Sequence, residues 1–132
     1  YQLSKNPDQV RAMLRKAFSD NCDHLQTGFT GTPLLGDVLT QNKMTDLVYK
    51  LLLNTDFPSW LYAVQMGATT IWVRWNSVNP DGKIETSMSS LNHYSYGSIV
   101  EWLFRYAAGL HQDPNHIGFT KTSPLLPTRI SR

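Results

Sequence analysis

The stretch that decides the fold is "TDLVYKLLLN", residues 45–54. A helix beginning at Thr45 is apolar nearly all round, through Leu47, Val48, Tyr49, Leu51, Leu52 and Leu53. Such a helix is buried on most sides rather than laid along a surface. Outward from it, helical signals recur in both directions. Upstream, "TPLLGDVLTQN" (32–42) has Thr32 as a candidate cap, Pro33 behind it, and an apolar face of Leu34, Leu35, Val38 and Leu39. Further upstream, "NPDQVRAMLRKAFSDN" (6–21) is the clearest helix: Asn6 caps, Pro7 suits the first turn, and Val10, Met13, Leu14, Ala17 and Phe18 recur at helical spacing. Downstream, "SWLYAVQMG" (59–67) is a short helix from Ser59 that Gly67 ends. "YGSIVEWLFRYAAG" (96–109) is a longer one, with Ile99, Val100, Leu103, Phe104 and Ala107 inward and Gly109 at its end. Short connections rich in Gly, Asn and Pro predict antiparallel helical hairpins.

Two regions depart from this plan. Residues 67–94 hold the β-branched and aromatic run "TTIWVRW", then the turn signal "NPDGK". This reads as a long excursion between two helices, with room for a two-stranded ribbon, and long loops in compact domains are usually functional. The tail "DPNHIGFTKTSPLLPTRISR" (113–132) has turn punctuation without helical period and reads as the opening of a β element.

Composition bounds the rest. The chain has 132 residues, 41% of them hydrophobic and 17% charged, which fits one globular domain or a piece of one. A net charge of +2 with scattered Lys and Arg argues against nucleic acid as a partner. No apolar run approaches the roughly 18 residues of a membrane span. No secretory signal is visible, and the lone Cys22 fits a reducing compartment, so a cytoplasmic location is the expectation.

The excursion carries the candidate chemistry. Trp72, Arg74 and Trp75, with Asn92, His93 and Tyr94 at its far end, are the residue types that hold a sugar. Indole faces stack on the C–H face of a pyranose, while Arg, Asn and His supply directional hydrogen bonds. Plugging the end of a helical bundle is the alternative use for two tryptophans. The four histidines show no metal-site spacing, and Pro114 makes "HQDPNH" a turn, so no metal is expected. Glycoside hydrolysis needs two carboxyl groups. The chain has only Glu85 and Glu101 as glutamates, with Glu101 on the last helix, where a structural bond explains it. Asp23, Asp37, Asp46 and Asp56 fall near helix ends, where capping and dipole effects explain them. From residues alone no complete catalytic apparatus is visible.

The motifs "HLQTGF" (24–29), "PSWLY" (58–62), "GATTIW" (67–72) and "NHY..GS..EWL" (92–103) are long, ordered and specific. Through them the chain, from Gln9 to its C-terminus, resembles the bacterial α-L-rhamnosidases whose catalytic domain is a six-hairpin (α/α)6 barrel. The resemblance implies an all-α fold in which residues 1–110 form late hairpins of that barrel, with a long loop at the pocket end. Residues 111–132 then begin a C-terminal β region, "GFTKTSPLLP" being similar to the family's exit from the barrel. It implies a rhamnose-containing glycoside as partner and no cofactor. It also implies that Trp72, Arg74, Trp75, Asn92 and His93 stand where the family has its sugar site. The family motif reads GATTIW-Glu-RW, and its glutamate is the general base of an inverting hydrolysis. Val73 occupies that position. The segment carrying the family's general acid lies upstream of the residues present, so the chain alone is expected to be inactive. The rivals are a carbohydrate-binding remnant without catalysis and an interaction module whose exposed half-barrel face binds another polypeptide. Barrel-core surface such as "LVYKLLL" left uncovered would make the chain self-associate, most simply as a two-fold dimer.

Overall fold

The computed structural model describes residues 5–87, 89–113 and 115–124. Pro114 and the tail beyond residue 124, both used in the sequence reading, lie outside the described residues. The order is α1 (Pro7–Asp20), α2 (Thr32–Gln41), α3 (Thr45–Leu53), α4 (Trp60–Gln65), and then, after the excursion, one helical run in three parts. That run is a 3-10 turn (Ser95–Ser98), α5 (Ile99–Trp102) and a π-helical stretch (Leu103–Ala107). Two short strands follow, β1 (Leu110–Gln112) and β2 (Thr122–Pro124), paired antiparallel with His111 opposite Ser123.

Local chemistry sets most boundaries. The Asn6 side chain accepts a hydrogen bond from the Gln9 N–H, and Ser59 does the same for Tyr62, each satisfying an orphan donor of the first turn. Gly67 and Gly109 take φ of +79° and +72°, the left-handed conformation that ends a helix. Thr32 is different. Gly31 holds the N-cap position of α2, and the buried Thr32 hydroxyl reaches back to the Thr27 and Gly28 carbonyls at 3.2 and 2.9 Å. It ties the 27–28 loop to α2 instead of capping it.

The core gathers around α3, as its composition requires. Leu47, Val48 and Leu51 are buried and join Phe18, Leu25, Leu39, Met44 and Trp102 in one cluster. Each fully buried aliphatic side chain there contributes about 1.5–3 kcal/mol, so α3 anchors the fold more than α1, whose only buried residue is Phe18. Helix α2 approaches the last run through Gly36, where a Cβ would lie 2.8 Å from Trp102 Cδ1. The apolar faces read from sequence are only half buried. Val10, Met13, Leu34, Val38, Val100 and Phe104 are exposed, with Met13 and Leu34 each at 65%. Most of the "LVYKLLL" stretch is enclosed within this chain, Leu53 excepted, and α1, α2 and the last run carry much of the uncovered apolar surface.

Three of the aspartates assigned to helix ends act between elements. Asp46 pairs with Arg15 at 2.9 Å, Asp23 with Lys50 at 2.5 Å, and Asp37 with Arg105 at 2.9 Å. Glu101 pairs with Arg105 at 3.3 Å, the structural role expected of it. Asp113, almost fully buried beside β1, accepts from Lys121 at 3.2 Å and faces His116 at 3.3 Å. Among the described residues no helix is long and apolar enough to cross a membrane.

Candidate functional site

The excursion after α4 folds back on itself without becoming a regular ribbon. Its legs are joined by the Val73 N–H to the Ser90 carbonyl at 2.9 Å and the His93 N–H to the Ile71 carbonyl at 2.7 Å. At the tip, Val78 and Ile84 form a single antiparallel bridge around the turn at Gly82. The base of the excursion is pinned to the helical body. Trp75 donates from Nε1 to the Thr27 carbonyl at 2.9 Å, and the Ser95 hydroxyl donates to the Phe29 carbonyl.

One wall organises the region. Trp75 lies parallel to Tyr96, centroids 3.7 Å apart and 4° from coplanar. Trp60 meets Trp75 edge-on at 5.3 Å and donates its own Nε1–H to the Tyr96 carbonyl at 2.8 Å. Offset and edge-to-face contacts of this kind add to the area the rings bury. Arg74 completes the wall, its backbone N–H on the Ser77 hydroxyl and its Nη1 on the Ser87 carbonyl at 3.0 Å.

A cavity lies on each side. The first, about 290 Å3, is lined by Trp60, Ile71, Trp72, Arg74, Trp75 and Tyr96, with α4 and residues 68–70 closing it. The second, about 500 Å3, is lined by residues 25–29, Phe57, Pro58, residues 73–76 and Tyr96. Trp72 lines the first cavity alone and Val73 the second alone, while Arg74 and Trp75 border both.

The residues singled out from sequence are thus neighbours but not one pocket. Trp72 is buried at 5% exposure and is separated by the wall from Val73. Trp75 is committed to packing, one ring face covered by Tyr96. Asn92 is exposed, and its backbone pairs with the Ser90 hydroxyl. His93 is half-buried, accepts from the Ser95 N–H at Nδ1, and meets Phe29 edge-on at 5.8 Å, which brings it to the rim of the larger cavity. The sequence reading missed Phe29, Phe57, Trp60 and Tyr96. The signal for two of them was present in "HLQTGF" and "PSWLY", which carry Phe29 and Trp60, but nothing local said that these segments meet the excursion.

Electrostatically the site is sparse. No Asp or Glu lines either cavity, and Arg74 is the charged side chain that borders both. Burial holds the Tyr96 phenol above its ordinary pKa, with Arg74 pulling the other way. Glu85 sits on the exposed tip, lowered chiefly by its hydrogen bonds from Ser87 and only secondarily by Arg74. Among the described residues no cluster of three His, Cys, Asp or Glu side chains is placed to hold a metal. What the arrangement can do is stack, fill and donate hydrogen bonds.

Residues 2–107 match the family described as the bacterial alpha-L-rhamnosidase 6 hairpin glycosidase domain. An alpha-L-rhamnosidase of Formosa agariphila is 46% identical over 107 residues, covering 80% of this chain and 12% of that protein. Among solved structures, the alpha-L-rhamnosidase of Streptomyces avermitilis complexed with L-rhamnose superposes with a TM-score of 0.78 at 41% identity, covering 88% of this chain and 12% of that one. The native alpha-L-rhamnosidase of Aspergillus terreus gives 0.74 at 38% identity, covering 80% and 13%. The chain spans about 12% of the length of the curated relatives it matches. These likenesses fit the all-α, part-barrel reading of the sequence.

Proposed function

Because the chain belongs to the bacterial α-L-rhamnosidase six-hairpin glycosidase family, we propose that it is one portion of a rhamnoside-hydrolysing barrel. In this reading residues 1–110 are late barrel hairpins that supply part of the pocket wall, and residues 111–132 begin a C-terminal β region. The substrate class is a glycoside ending in α-L-rhamnose. Trp72, Arg74, Trp75, Asn92 and His93 are the sugar-side residues, with Trp72 acting from behind the wall to hold Val73 and Arg74 in place.

On its own the chain binds sugar and does not cleave it. The observation that carries this is the absence of any carboxylate from the lining of the cavity that Val73 borders. Inverting hydrolysis requires a carboxylic acid to protonate the leaving oxygen and a carboxylate to activate water. Val73 performs neither role at any pH. Two stacked rings, a third edge-on to them and one guanidinium are binding groups, worth affinity without turnover.

The test is a titration of the 132-residue chain with L-rhamnose, followed by tryptophan emission, beside an assay for rhamnose release from an alkyl rhamnoside. Millimolar, saturable binding without release is expected, and Arg74→Gln weakens it about ten-fold, the scale of one charge-assisted hydrogen bond. Release of rhamnose by the unmodified chain overturns the non-catalytic reading. A flat titration favours the interaction-module rival.

A further inference from the structure

Two residues that line the smaller cavity carry polar groups with no partner among the described residues. The chain has four tryptophans. Trp60, Trp75 and Trp102 donate their indole N–H to the Tyr96 carbonyl, the Thr27 carbonyl and the Thr40 hydroxyl, at 2.8, 2.9 and 2.8 Å. Trp72 is buried at 5% exposure, beside 2% for Trp102, yet its indole N–H meets no acceptor among the described residues. The tyrosines offer a second internal control. Tyr62, 8% exposed, donates its hydroxyl to the Val78 carbonyl at 3.1 Å. Tyr96, 4% exposed, has no partner for its hydroxyl among the described residues. Neither atom is sealed from solvent, since the fully enclosed unpartnered side-chain atoms lie elsewhere, on Arg11, Asp37 and His111. Both residues line the cavity of about 290 Å3, and so does Arg74, which has one guanidinium bond to the protein.

Buried aromatic N–H and O–H groups normally bond within the protein; these two, open to solvent, are left for a ligand to meet. They and a guanidinium belong to residues that border one small apolar space. Trp72 and Arg74 are donors only, and the phenol can donate as well. A neutral sugar brings roughly as many donors as acceptors, and most of its donors would go unanswered against walls made of Ile71, Trp60 and the indole faces. A carboxylate brings acceptors alone, carries the charge that complements Arg74, and leaves an apolar body to fill the remainder. Glu85, the carboxylate that senses Arg74, is held at Ser87 and is absent from the cavity lining.

We propose that the cavity behind the Trp75–Tyr96 wall is a second ligand site, for a compact aromatic or aliphatic monocarboxylate bound by Trp72, Arg74 and Tyr96. The site is a separate space from the Val73 cavity, although Arg74, Trp75 and Tyr96 border both. Its chemistry is recognition: nothing is cleaved or transferred.

The indole N–H resonances of the 15N-labelled chain test it, with sodium benzoate as the probe and benzyl alcohol as its uncharged analogue. The expected result is a saturable, millimolar-range downfield shift of the Trp72 resonance with benzoate. The other indole signals, whose protons are already bonded, should move far less. Benzyl alcohol should bind about ten-fold more weakly, and Tyr96→Phe, which keeps the stack on Trp75 and removes only the hydroxyl, should weaken benzoate by a similar factor. A Trp72 signal unmoved at saturating benzoate overturns the proposal. So does equal affinity for acid and alcohol, or a wild-type affinity in Tyr96→Phe. L-Rhamnose in a parallel titration separates the readings: benzoate binding without a rhamnose response leaves this site standing and removes the sugar-binding one, and a Trp72 shift with rhamnose but not benzoate does the reverse.

Discussion

Val73 puts an isopropyl group into the wall of the larger cavity, between an indole and a guanidinium that face other ways. Val73→Glu would place a carboxylate beside Arg74, where the guanidinium keeps it ionised at neutral pH. A general base is typically worth about a hundred- to ten-thousand-fold. It needs an acid across the sugar, roughly 6.5–9.5 Å away in inverting enzymes, and no Asp or Glu lines either cavity. Val73→Glu is therefore expected to release no rhamnose from an alkyl rhamnoside. A nitrophenyl rhamnoside, whose leaving group departs without a proton, should be the first substrate to respond, and release from the alkyl substrate by this variant would disprove the account. Tyr96 makes a separate prediction. Burial raises its folded pKa, and burial followed by Asp37 raises that of Tyr106. A raised folded pKa means that the stabilisation is complete below the unfolded value of about 10 and is lost as pH climbs through the folded one. Thermal melts should show stability falling on the alkaline side, less steeply in Tyr96→Phe. The excursion residues were legible because their run of rings and Arg matched a motif. Tyr96 was not, since "YGSIV" reads as the ordinary opening of a helix.

At the scale of elements, caps were legible and packing partners were not. Asn6, Ser59, Gly67 and Gly109 work through bonds to their own neighbours in sequence, so local chemistry predicts them. The last run shows the opposite. A π-helical stretch turns less per residue than an α-helix, so the inward face drifts: Trp102 enters the core while Phe104, placed inward by α-helical spacing, points out. The Arg15–Asp46 and Arg105–Asp37 pairs span 31 and 68 residues, beyond any local signal. Gly36→Ala tests the tightest of these contacts. Its Cβ would press on the Trp102 ring at 2.8–3.0 Å, and overpacking of that kind costs about 1–3 kcal/mol. A melting temperature equal to wild type would show that α2 has room to retreat. Asp46→Asn should matter less. Its carboxyl is lowered first by the hydrogen bond from Arg15, so its contribution is present above the unfolded carboxylate pKa and is lost as pH falls through the folded one. Both groups are more than half exposed, which limits the pair to under about 1 kcal/mol.

The whole molecule leaves Val10, Met13, Leu34, Val38, Val100 and Phe104 open to water. Apolar surface spread over three helices of a 132-residue chain favours association. Light scattering is expected to report a dimer or larger species at micromolar concentration, and a clean monomer would count against it. The "LVYKLLL" stretch adds Leu53 to that surface, while Leu47, Val48 and Leu51 find their cover inside the chain.

Arg74, Trp75 and Tyr96 serve two spaces at once, so the cavities are arms of one thermodynamic cycle. A carboxylate that draws the guanidinium into the smaller space takes charge and donors from the larger. Whatever factor benzoate imposes on rhamnose affinity, rhamnose must impose on benzoate, because the coupling belongs to the pair. With one guanidinium between them the sign is antagonistic. A crossed titration should return one number from both directions, and through it the occupancy of a space that touches no glycosidic bond would set how readily the other fills.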